Sequence, residues 1–375
     1  MISYLIIPDS KVIKEYLSYG LLAVTAVLLF LLFGGGNKWF SNLVYVFILL
    51  PSVFFIRKYL YAVKKIKAVM VLLFLYSFYS ALVLLIDGEG VESFKYFLML
   101  VLFYFFVLIN FNSNNKVLAL FSVFLTINFL FLTYGLLDAE NLGVARYSFG
   151  GINANRLTVL FIFPFVWFAC YCFSKSNIYR YIGFLVLFIY GAIDFYLLGS
   201  RSIIFLLAVF FVFFVYEFRS DLKRKDVVFL LLLCIIFSLV FYFYAPLYEK
   251  LIDRGVSYRK DIWLDAINRM VSEECFLFGC GKLDGYKFLG KFDNPHGVFI
   301  SSFYYYGVIG FALFLSFLTI CYIRLSGFYR VGFIACLAYF IFTHVELIVK
   351  PSVIWLYFWL PLFLGLIQKG NNEHA

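Results

Sequence analysis

Three basic side chains have the types and settings that could do chemistry. His296 stands in "FDNPHGVFISSFYYYGVIG" (292–310), where a long polar stretch gives way to an apolar one, and it is one of only three histidines in 375 residues. Imidazole titrates near neutrality, so it suits a general base that takes a proton from a hydroxyl. A histidine in isolation is more often a satisfied surface or core residue. Arg201 lies in "LLGSRSIIFLLAVFF", directly between two apolar runs. A guanidinium there either snorkels to lipid phosphates or clamps a phosphate group with two parallel hydrogen bonds. Asp194, seven residues earlier, is a candidate counter-charge for it. Arg259, in "YRKDIWLDAINRMV" (258–271), reads either as a solvated charge on an amphipathic helix or as a second phosphate donor.

Other polar residues read as structural. Glu346 and Lys350 have the spacing of a helical i,i+4 pair near His344, and His374 falls in a polar tail. Cys170, Cys172, Cys234, Cys321 and Cys336 lie in apolar runs, where cysteine behaves as a small hydrophobe. Cys275 and Cys280 fall in a polar segment and could pair if that side is oxidising. Cysteine and histidine spacings do not match a zinc site, so no metal is expected.

The elements that must position these groups are set by composition. The chain is 65% hydrophobic and 14% charged. Ordinary soluble domains are about half apolar and about a quarter charged. Lipid is the natural surrounding for the excess, which makes this an integral membrane protein. Runs such as "VVFLLLLCIIFSLVFYFY" are continuous, whereas a barrel strand would alternate. The expected fold is therefore all-α, a single polytopic bundle over 1–375. About twelve spans are expected, at approximately 16–35, 39–56, 68–86, 94–111, 117–137, 157–173, 180–198, 202–218, 227–245, 297–323, 331–349 and 352–368. The first run, followed by "GGGNKWF", lacks a small-residue cleavage site and reads as an uncleaved span.

The formal charge of +10 does not point to nucleic acid, because the basic residues are dispersed in short loops. Those loops orient the stack instead. "RKYLYAVKKIK" (57–67), "SKSNIYR" (174–180), "RSDLKRKD" (219–226) and "RLSGFYR" (324–330) fall on one side with Lys11 and Lys14. The positive-inside bias makes that side, and both termini, cytoplasmic. The opposite side carries the mixed-sign loops and the long segment 246–296 between spans nine and ten. It also carries Arg146, Arg156, Arg201, Arg254, Arg259 and His296, so a site would face outward. Within the long segment, Ile262, Trp263, Ala266, Ile267 and Met270 share one helical face, with Arg259, Asp261 and Asp265 largely on others. Such a helix could lie on the bilayer or pack within the loop. "FGCG" (278–281) supplies glycines for a turn.

The order of these features resembles a known superfamily. "GSRS" opens one span, "RKDIW" places an arginine before a tryptophan, and "LFGCG" and "NPHGVFISSFYYYGVIG" lead into another span. "FGGINANRLTVL" (149–160) carries Asn155 in a glycine-to-asparagine stretch. The set is similar to the bacterial O-antigen polymerases and O-antigen ligases, over roughly 149–315. It departs at Gly297, where many members carry a small polar residue after the histidine.

The resemblance implies an inverting glycosyltransferase in the bacterial inner membrane, with a periplasmic active site. The donor would be an undecaprenyl-diphosphate-linked oligosaccharide, and neither nucleotide sugar nor metal cofactor would be needed. In a polymerase the acceptor is another lipid-linked repeat unit, and in a ligase it is lipid A-core. Polymerase is the expected activity, with ligase as the alternative and a chain-length regulator as a possible partner. Arg201 and Arg259 would stabilise the departing diphosphate, and His296 would act as base or orient the acceptor. Arg146, Asn155, Arg156 and Arg254 would be further phosphate or sugar contacts. A lipid-linked glycan flippase is the rival from another class. Transporters gather polar groups near the midplane in repeats, and here they gather at one face.

Overall fold

The computed structural model describes residues 41–54 apart from 43, then 66–85, 90–110, 133, 154–173, 177–198, 202–243, 258–282, 286–290, 292–343, 347–348, 351 and 354–372. These residues are 83% helical, without a strand among them. The helices are α1 (Lys67–Leu85), α2 (Gly90–Asn110), α3 (Ala154–Phe173), α4 (Asn177–Leu198), α5 (Ser202–Glu217), α6 (Arg224–Phe243), α7 (Arg259–Ser272), α8 (Val298–Arg324), α9 (Gly327–Phe340) and α10 (Leu360–Asn372). Wider π-type turns occupy Val44–Leu49 and Trp355–Trp359.

Among the described residues, four helices are long and apolar enough to cross a bilayer: Lys67–Leu85, Gly90–Leu108, Ile178–Leu197 and Val298–Arg324. Shorter apolar helices cover Ile162–Cys172, Ser202–Glu217, Gly327–Phe340 and Tyr357–Gln368. Helices therefore stand at most of the expected spans. The expected spans at 16–35 and 117–137 lie outside the described residues, apart from position 133. One of the other expectations changes. The eleventh span was expected to run to 349, but α9 ends at Phe340 and the chain turns at 341–343. The helix at the twelfth expected span sits in the core of the bundle. Trp355, Tyr357, Phe358, Trp359, Leu360, Phe363 and Leu364 are all buried, as befits a helix apolar all round. Two indole N–H groups tie this segment in: Trp167 donates to the Tyr357 carbonyl at 2.9 Å, and Trp359 donates to that of Leu347 at 2.8 Å.

Polar contacts sort the two ends of the bundle. At one end Glu217, closing α5, meets Arg330 in the first turn of α9. The guanidinium Nη1 lies 3.2 and 2.8 Å from the two carboxylate oxygens. Arg330 also donates to the Leu325 carbonyl at 3.0 and 2.7 Å, and the Gly327 amide donates to Glu217 at 2.8 Å. Near the start of α6, Asp226 accepts from Tyr181 and from the Lys223 amide, with Arg180 4.0 Å away. Glu217, Arg330, Arg180 and Asp226 all belong to, or border, the loops with the basic sequence bias. The long segment and the start of α8 occupy the other end.

α8 is not one continuous helix. Gly307 has φ 63° and ψ −169°, which breaks it about a third of the way along. The turn 275–281 fills the break. The Phe276 and Leu277 carbonyls accept from the amides of Val308 and Ile309 at 3.0 and 3.3 Å, while the amides of Cys280 and Gly281 donate to Tyr304 and Tyr305 at 2.9 and 3.2 Å. These are the groups that an unbroken helix would pair with one another, 308 to 304 and 309 to 305. Two glycines make room. A Cβ on Gly307 would stand 2.4 Å from the Leu277 carbonyl oxygen, and one on Gly279 2.2 Å from that of Tyr305.

Candidate functional site

α7 forms where the sequence periodicity expects a helix, and its faces are more sharply divided. Ile262, Ala266 and Met270 are buried against Tyr286, Tyr304 and Tyr305. The Tyr286 hydroxyl donates to the Ile262 carbonyl at 2.9 Å, which fixes the helix against the 286–292 turn. Ile267 was expected on this face, but it is 37% exposed and aligns with Leu264 and Val271 on another. Arg259 was expected largely on a face other than that of Trp263. It sits one turn before Trp263 and on the same side, half-buried.

That side holds the site. The Arg259 guanidinium lies over the Phe342 ring, 5.3 Å from its centroid. Trp263 stacks on the same ring at 6.4 Å and 15°. Phe205, in the first turn of α5, meets Phe342 edge-on at 5.0 Å. Phe342 is thus the point where α5, α7 and the end of α9 converge. A groove of about 390 Å³ runs along it, lined by Arg259, Lys260, Trp263, Leu264, Ile267 and Phe342. It is cationic at one end and apolar along its length.

His296 is joined to this group through Trp263. The indole N–H donates to the His296 carbonyl at 2.7 Å, so the tryptophan links the arginine helix to the entrance of α8. The Asn294 side chain accepts from the His296 amide at 3.1 Å, closing a local turn behind Pro295. The imidazole meets Phe292 edge-on at 5.3 Å. Burial holds the His296 pKa below its ordinary value, and the Arg259 charge lowers it further. Both effects favour the neutral ring, the form able to accept a proton.

The backbone at this point is unusual. His296 has φ 47° and Gly297 φ 113°. A non-glycine residue in the left-handed region is uncommon and concentrates at functional sites. Gly297 cannot carry a side chain: its Cβ would lie 2.4 Å from the Ile341 carbonyl oxygen. That contact gives a structural reason for glycine where the resembled family often has a small polar residue. It also holds the imidazole turn against the segment that carries Phe342.

Two of the seven candidate residues, Arg259 and His296, are thus brought to one place. Arg146, Arg201 and Arg254 lie outside the described residues. The backbone of Asn155 and Arg156 stands in the first turn of α3, and their side chains also lie outside the description. Asp194 is buried on α4, and neither carboxylate oxygen has a hydrogen-bond partner among the described residues. His344, Glu346, Lys350 and His374 are not described either. No protein-family model matches this chain, and no curated protein does.

Cys275 and Cys280 form a disulfide, with Cα atoms 5.0 Å apart. Glu273 stands beside them, but sulfurs joined in a disulfide are not thiolates and do not bind a metal. The remaining five cysteines are free, and four of them are buried, in keeping with their apolar settings. Sequence reasoning missed Phe342, Phe205 and Lys260. Phe342 is one of 52 phenylalanines, and local pattern does not mark it.

Proposed function

We propose that this protein is a membrane glycan transferase of the O-antigen polymerase kind. It would move a glycan from one polyprenyl diphosphate to a sugar hydroxyl of a second lipid-linked repeat unit. The observation that carries the reading is a groove with a cationic end at Arg259 and an apolar length, tied to the neighbouring His296 turn by the Trp263 indole. An anionic diphosphate on an isoprenoid chain has the matching shape: charge at one end and hydrocarbon behind it.

The reaction needs two kinds of help. The acceptor hydroxyl is a weak nucleophile. As its oxygen attacks the anomeric carbon, the neutral His296 imidazole takes its proton. The bond from the anomeric carbon to the phosphate oxygen breaks, and the electron pair leaves with the diphosphate. Arg259, whose charge does not depend on pH, stabilises that developing charge with Lys260 beside it. Arg201 immediately precedes α5, whose first turn reaches Phe342, so it remains the candidate second clamp. A single displacement inverts the anomeric carbon. Trp263 and Phe342 offer flat apolar faces on which a sugar ring or isoprenoid can rest.

The test is the surface glycan of a strain lacking this protein. Complementation with the wild-type chain is expected to restore long polymer, whereas His296→Asn is expected to leave single repeat units attached to core. Full-length polymer stranded on its lipid carrier would assign the ligase reaction instead. An unaltered glycan would remove the reading altogether.

A further inference from the structure

The turn 275–281 shows an inverted polarity. Every carbonyl from Cys275 to Phe278 accepts a hydrogen bond: from the Gly279 amide at 2.7 Å, from Val308 and Ile309, and from the Tyr79 hydroxyl at 3.1 Å. The side chains face the other way. Phe276, Leu277 and Phe278 are 43%, 56% and 64% exposed. A surface turn in water does the opposite, solvating its backbone and hiding its phenylalanines. Satisfied carbonyls with exposed apolar side chains suit hydrocarbon, where a bare carbonyl has no water to pair with.

Depth along the helices agrees. Tyr79, which bonds the turn, lies six residues before the end of α1. At 1.5 Å per residue that is about 9 Å below the helix end. On α8 the turn binds around Gly307, nine residues in from Val298, or about 14 Å along the axis. α1 and α8 run antiparallel here, since Tyr76 meets Phe314 while Tyr79 faces Gly310. Both measures therefore start from the same end of the bundle. Both helices are long and apolar enough to span. On α1, Phe78 and Leu82 are themselves 45% and 51% exposed, so the apolar surface of the turn continues that of a spanning helix.

We propose that the disulfide-closed turn 275–281 is a re-entrant finger, sunk in the leaflet nearest His296, with Phe276, Leu277 and Phe278 packed against lipid acyl chains. The finger would anchor α7, which directly precedes it in the chain, at the membrane surface. The Cys275–Cys280 bond closes its base and keeps Gly279 against α8. The inference requires that the helices lie in a bilayer and does not depend on glycan chemistry.

Tryptophan emission in lipid nanodiscs tests it. Phe278→Trp and Leu277→Trp, each read against the wild-type background, are reconstituted in phosphatidylcholine brominated on its acyl chains. Phe78→Trp on α1 serves as the lipid reference, and Asp293→Trp, in an exposed loop position, as the aqueous one. The added emission at 278 and 277 is expected to be quenched by bromolipid to at least the extent seen at 78, and to resist aqueous iodide. Quenching by iodide alone, or shielding from both quenchers as under a protein partner, overturns the finger. That failure leaves glycan transfer standing if Phe78→Trp is still quenched by lipid. Loss of bromolipid quenching at 78 itself would overturn the membrane placement on which both proposals stand.

Discussion

At the scale of single residues, His296 combines the chemical role proposed for it with a conformational cost, and substitutions can separate the two. Asparagine tolerates the left-handed region that φ 47° requires, whereas alanine does not. His296→Asn should keep the melting temperature and lower transfer by roughly 10²–10⁴-fold, the range for loss of a general base. His296→Ala should lose the same activity and also about 1 kcal/mol or more of stability. The pH dependence has a definite sign. Burial and Arg259 favour the neutral imidazole, so the active form persists below the ordinary histidine range and activity falls only on the acid side. Arg259→Gln should move that acid limb to higher pH, besides its loss in rate, and Arg259→Lys should leave the limb in place. The same depression links to stability. The contribution is full above the unfolded histidine value and shrinks as pH falls through the folded one. Asp194 supplies a contrasting case. Its carboxylate is buried without a described partner, so Asp194→Asn should hold or raise the melting temperature; a clear drop would reveal a pairing cation.

At the scale of elements, the interlock between the 275–281 turn and α8 carries the mechanical load. Two backbone pairs of a broken helix are remade by a second segment, and both glycines at the crossing are sterically required. Gly307→Ala should therefore fail in two ways, by its φ of 63° and by the clash with the Leu277 carbonyl. Removing the disulfide by a double Cys275→Ser, Cys280→Ser change should cost about 2 kcal/mol, from the entropy of so short a loop. Thermal unfolding in detergent, with and without reductant, checks this: reductant should lower the wild-type transition and leave that of the double variant unmoved. Because Met270 accepts from the Cys275 amide, loosening the turn should also loosen the end of α7 that leads to Trp263 and Arg259.

At the scale of the whole molecule, the bundle has chemically distinct ends. One is latched by Glu217 and Arg330, and the other gathers α7, the His296 turn and Phe342. The latch is largely buried and every Arg330 bond goes to a charged or carbonyl oxygen, so Arg330→Ala should cost roughly 2–3 kcal/mol by leaving Glu217 unpaired. Because the latch is at the far end from the groove, the folded fraction of that variant should keep the pH profile of the parent. A shifted profile would show that the two ends are coupled.

Much of the helical framework is legible in the sequence. Hydrophobic run length and loop punctuation are local properties, so α1, α2, α4, α5, α6 and α8 lie close to their expected limits. The Cys275–Cys280 bond was open to sequence reasoning for the same reason, since the two residues are five apart. The basic loops announced an end that the Glu217–Arg330 and Arg180–Asp226 contacts then joined. Which faces meet was not legible, because helices that are apolar on every side carry no stripe to mark an inner one. The break at Gly307 depends on a turn 30 residues away in the chain that offers its own backbone groups. The approach of Arg259 to His296 depends on Trp263 crossing to the His296 carbonyl and on Phe342, where α9 has already ended. Composition and periodicity decided which segments are helices; only the packing of those helices decided which side chains share a groove.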